Sequence, residues 1–166
     1  MTTKLLALLS IITVSASCSA GINEGSIQHN YIVTSGNPIL SEFGLATTIQ
    51  VINDFVHYNE ILASNYKNII DEHIKSSELY HVDENFFSQN SLILIEQFEG
   101  NAGLKFEVKS VFYRENEINI DISRFIRGSL PAVETSYFIF VEIGISDIDK
   151  DAVNVSFTDV RDEDHF

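Results

Sequence analysis

Only one cysteine, Cys18, occurs in the 166 residues, so no disulfide can form within the chain. Basic residues are scarce as well: 10 Lys and Arg stand against 24 Asp and Glu, a formal charge of −14. The cations are scattered, with Arg124 and Arg127 the nearest approach to a cluster, and an acidic surface without a basic stripe repels phosphate backbones and anionic headgroups. Nucleic acid is therefore not an expected partner. Past residue 14 no apolar run is long enough to cross a bilayer as a helix, which takes ~20 residues. No HExxH or other zinc spacing joins the five histidines, and no Gly-x-Ser-x-Gly elbow exists. No metal, cofactor or catalytic residue is expected on these grounds. Asp147, Asp149 and Asp151 imitate the start of a calcium loop, but Ala152 and Thr158 stand where the loop glycine and the closing acid belong.

What is present begins with Lys4, an apolar run from Leu5 to Val14, and small residues from Ser15 to Ala20. That order reads as a secretory signal over residues 1–17, and the mature chain is expected outside the cytoplasm. Cys18 follows Ala16-Ser17 as the lipid-accepting cysteine of a bacterial lipoprotein does, so lipidation at Cys18 is expected, with simple secretion as the alternative. A lipid anchor would then be the only tie to a membrane.

Residues 18–46 mix Gly, Asn and Ser, with a turn signal at Ser35-Gly36-Asn37-Pro38, and read as a flexible tether; Ile27 to Val33 can add a short edge strand. A single domain is expected over 47–158. Thr47 to Ile52 is β-branched, and Asn53-Asp54 supplies an N-cap and a first-turn acid. Phe55, Tyr58, Leu62, Tyr66, Ile69 and His73 then share one helical face.

After Tyr80 the period drops to two. Ser91 to Phe98 is almost continuously apolar, Leu104 to Phe112 alternates, and Gly100 and Gly103 between them suit a hairpin. Glu115-Asn116 makes the next turn before Ile118, Ile120 and Ile122. Tyr137 to Ile145 is apolar on both faces, as in a covered central strand, and Val153 to Phe157 alternates again. The expected fold is α+β: an antiparallel β-meander of five or more strands packed with one main helix. Residues 159–166, with four acids, read as a mobile acidic tail.

The block Tyr80, Asp83-Glu84, Phe86-Phe87 and Asn90-Ser91-Leu92 resembles the family of small bacterial extracytoplasmic proteins related to the C-terminal domain of PrcB, a protease-complex accessory protein. The likeness continues through Val51 to Phe55, Val108 to Phe112, Ile118 to Arg124 and Tyr137 to Glu142, and covers residues 47–145. Gly100-Asn101-Ala102-Gly103 departs from the turn usual in those relatives. The resemblance implies a mixed α+β domain among relatives that are often lipoproteins of unknown function, one branch of which stabilises a surface protease, and it supplies no catalytic residues.

The function expected is thus a non-catalytic module of the bacterial envelope that binds, and in doing so stabilises, another envelope or secreted protein. Its contacts would come from a sheet edge, from the loop Arg124 to Thr135 with Arg124 and Arg127, or from Phe86, one of two adjacent aromatics. The alternative is a secreted hydrolase whose Ser, His and acid meet only in space.

Overall fold

The computed structural model describes residues 25–36, 47–63, 82–126 and 133–161. Eight strands and one α-helix form in the order β1 (Gly25–Ser26), β2 (His29–Gly36), β3 (Thr48–Ile52), α1 (Phe55–Ala63), β4 (Ser91–Glu99), β5 (Lys105–Arg114), β6 (Glu117–Ile126), β7 (Thr135–Ile143) and β8 (Val153–Arg161). The chain is mostly β, but among the described residues no sheet reaches five strands. One four-stranded sheet runs β1-β5-β6-β8, and the other runs β2-β7-β4-β3.

The expected meander is corrected at the Gly100–Gly103 turn. β4 pairs with β3 and β7, whereas β5 pairs with β6 and β1, so the turn is an arch between sheets and not a hairpin. The cause lies in the two strands' patterns. β4 is apolar on both faces and needs cover on both, while β5 alternates and can bury only one. A true hairpin joins β5 to β6 through Glu115-Asn116, where φ values of 53° and 68° make the mirror-image turn that suits strand twist. β8 lies parallel to β6, a pairing that a meander does not produce.

Three layers result. Between the sheets, Ile93, Ile95, Tyr137, Ile139 and Val141 meet Phe106, Val108, Ile118, Ile120 and Ile122 in one buried core. On the far face of the second sheet, Leu92, Leu94, Phe138 and Phe140 pack on Tyr58 and Ile61 of α1 and on Phe87. β4 and β7 are therefore enclosed on both faces, as their composition requires.

The helix opens at Asp54, whose Oδ1 accepts the His57 N–H at 2.8 Å. Asn53 is not the cap. Its Oδ1 accepts from Ser91 Oγ at 2.7 Å and Ile148 N–H at 3.0 Å, and its Nδ2 donates to the Ile148 carbonyl at 2.7 Å. This pins the segment before β8 to the end of β3. Phe55 and Tyr58 of the expected apolar face pack in the helix-side core, while the side chains of Leu62, Tyr66, Ile69 and His73 lie outside the described residues.

Two boundaries move. Residues 25–36 are not tether: Ile27 is buried in the intersheet core and β2 pairs with β7 along its whole length. Likewise Asp159 to Arg161 belong to β8, because they continue its pairing with Arg124 to Ile126, so the expected tail begins no earlier than residue 162. Residues 1–24, including Cys18 and the expected signal segment, lie outside the described residues, as do Arg127 and residues 162–166. Among the described residues no helix is long and apolar enough to cross a membrane.

Candidate functional site: a cleft beside strand β5

The two sheets share a strand-like segment at one side. Gly25 and Ser26 pair with Tyr113 and Phe112 of β5, the Ile27 N–H donates to the Val111 carbonyl at 2.8 Å, and the chain then crosses to pair with β7 as β2. The layers are thereby joined where β5 ends. Where β5 begins they part, leaving a cleft of about 420 Å³ lined by Tyr31, Val33 and Ser35 of β2, Leu104 and Phe106, and Tyr137 of β7. Its walls are aromatic and aliphatic groups with a few hydroxyls and Lys105 at the start of β5, and it stands open to solvent.

The cleft's polar groups have settled roles. Tyr137 Oη accepts the Leu104 N–H at 2.9 Å, which holds the arch against the second sheet, and the Tyr137 ring lies 4.7 Å from that of Phe106. Burial raises the pKa of Tyr31, Glu107 raises it further, and Lys109 partly offsets the effect. The Tyr31 phenol therefore stays protonated at neutral pH and is able to donate a hydrogen bond.

Among the described residues, the outer edge of β5 ahead of its short pairing with β1 has no strand partner. Lys109 forms a bulge there, as the register with β6 shifts between Val108 and Ser110. Its Nζ contacts Glu107 at 3.0 Å, and Lys105 and Lys109 place their ammonium groups 5.5 and 5.6 Å from the centre of the Phe125 ring.

Arg124 proves to be an internal clamp. Its guanidinium donates to both oxygens of Asp159, at 2.8 and 3.1 Å, and to Glu99 at 2.6 Å, joining β6 and β8 to β4 across the mouth of the sandwich. These bonds, the Asp159 one foremost, raise the Arg124 pKa above its ordinary value, and Arg124 in turn lowers that of Asp159. Arg124, expected as a partner contact, thus has a structural role within the chain, with three of its five N–H donors bonded to Asp159 and Glu99. The loop around it is shorter than expected, since β6 runs to Ile126 and β7 starts at Thr135.

Phe86 and Phe87 lie in a 3₁₀ turn before β4 and not in a strand. Phe87 is buried, and Phe86 packs on it edge to face at 5.0 Å, partly exposed. The Phe86 ring thus has an inward role, with one side left to solvent.

For the hydrolase alternative, His29 Nδ1 lies 3.2 Å from the Ile27 carbonyl, and no hydrogen bond among the described residues joins a histidine ring to a serine or carboxylate. His73, His81 and His165 lie outside them. A serine and a carboxylate do meet at Ser136 and Glu96, both fully buried, with Ser136 Oγ donating at 2.7 Å. The sequence offered no sign of it, because Glu96 sits inside an apolar run. Asp149 caps the short turn before β8 by accepting the Asp151 N–H, and no group of three metal-ligating side chains occurs among the described residues.

The cleft went unseen in the sequence because it depends on which strands change sheets. Compared with known proteins, the chain matches no family model, no curated protein and no solved structure.

Proposed function

We propose that this chain is a non-catalytic extracytoplasmic module, held at the membrane by lipid on Cys18, that binds and stabilises another envelope or secreted protein. One observation carries the reading: the cleft between the sheets opens along a stretch of β5 whose outer edge has no strand partner among the described residues. A rigid two-sheet frame beside such an edge is a common means of holding an extended protein segment. Supporting it, the N-terminal segment has the order of an export signal ending at a cysteine. The sequence likeness to PrcB-related accessory proteins points the same way.

The test is cross-linking and affinity purification of the full-length protein from its own envelope, with mass spectrometry of the mature N-terminus. The expected outcome is a defined protein partner and a diacylglycerol-bearing Cys18. Recovery of the chain alone, together with hydrolytic activity lost on replacing His57, would favour the hydrolase instead.

A further inference from the structure

Among the described residues, the β2–β5 side of the sandwich is closed at one end by the chain itself and open at the other. β1 already runs antiparallel to β5 at Phe112 and Tyr113, so the track for a neighbouring strand exists and stops at Val111. Beyond it, from Ser110 back to Lys105, the edge is free among the described residues and borders the cleft. A strand added there pairs its backbone with β5 and sends alternate side chains inward, toward Tyr31, Val33 and Phe106, and outward, beside Lys105 and Lys109.

Charge then selects the occupant. In a chain of net charge −14, two of the ten cations, Lys105 and Lys109 of this edge strand, hold their ammonium groups together over the Phe125 ring of the neighbouring β6. Lys109 is partly neutralised by Glu107, and Lys105 has no ion pair among the described residues. A second copy presenting its own β5 would bring lysines against lysines, which opposes self-pairing. Edge lysines and a bulge are devices that discourage indiscriminate strand addition, and a segment with acids at the matching positions converts that repulsion into attraction.

We infer that the β5 edge from Lys105 to Ser110 takes up an extended segment of the partner protein as an added strand, with an apolar or aromatic side chain in the cleft and acidic residues beside Lys105 and Lys109. This rests on the binding-module reading and specifies what that module holds.

The test titrates the isotope-labelled mature protein with a short synthetic peptide alternating aspartate with valine and phenylalanine. A second peptide is N-methylated along one backbone edge, and a third carries lysine for aspartate. Amide shifts at Leu104 to Ser110, Tyr31, Val33 and Tyr137 are expected with the first. Methylation should abolish them, and charge reversal should weaken binding roughly ten-fold. The double variant Lys105→Gln/Lys109→Gln should lose the acidic peptide while staying folded, its melting temperature lowered only slightly by loss of the Glu107 and Phe125 contacts. Shifts elsewhere, none at millimolar peptide, or equal binding of the methylated peptide would overturn the inference. If a partner is nonetheless captured from the envelope, the module reading stands and only its surface is wrong.

Discussion

Arg124 shows how a residue chosen for its charge can be bound up in the fold. Glu99 is only 12% exposed, so removing its cation strands a mostly buried carboxylate. Arg124→Met should cost about 2 kcal/mol in chemical denaturation, the loss expected for hydrogen bonds to a charged group. The pH dependence has a definite sign. Asp159 has a folded pKa below its unfolded one, so its contribution is complete above the unfolded value, near 4, and disappears as pH falls through the lower folded value. Stability should therefore decline below about pH 4, and Arg124→Met should flatten that part of the curve. Ser136 is a second case. Ser136→Ala leaves the buried Glu96 oxygen without its 2.7 Å donor and should cost about 1–3 kcal/mol, read as a lower denaturation midpoint. Neither bond was legible in the sequence, since each joins residues at least 25 positions apart.

At the scale of elements, local pattern and local chemistry agreed with the structure where burial alone decided. The run Ser91 to Glu99 and the stretch Thr135 to Ile143 are strands covered on both faces, and Glu115-Asn116 is the turn between two alternating strands. Partner choice was not legible. Two consecutive strands read as a hairpin until it is noticed that one is apolar on both faces and the next on only one, a difference that assigns them to different sheets. The turn itself offers a check. Glu115 holds φ at 53°, a region that favours Asn or Gly, so Glu115→Asn should raise stability by roughly 0.5–1 kcal/mol in thermal or denaturant melts. The helix offers another: Asp54→Ala removes the acceptor of the His57 N–H and should cost ~1 kcal/mol.

For the whole molecule, the first strand-like segment matters most, because Gly25 to Gly36 belongs to both sheets in turn. A segment composed of Gly, Ser and Asn with single apolar residues looks like tether. Its structure comes from what it docks on: Ile27 enters the intersheet core, and β2 borrows order from the fully buried β7. The same crossing closes one end of the β2–β5 side and leaves the other as the cleft. Among the described residues β5 has an open outer edge from Lys105 to Ser110, and residue-resolved amide hydrogen exchange on the protein tests most directly whether that edge is open in the folded chain. β4 and β7 should be the slowest to exchange. Between residues 105 and 110, amides turned toward β6 should be protected and those turned outward should exchange quickly, while Phe112 and Tyr113, beside β1, should be slower. Uniform protection along the whole of β5 would show that its edge is already covered and would contradict the account.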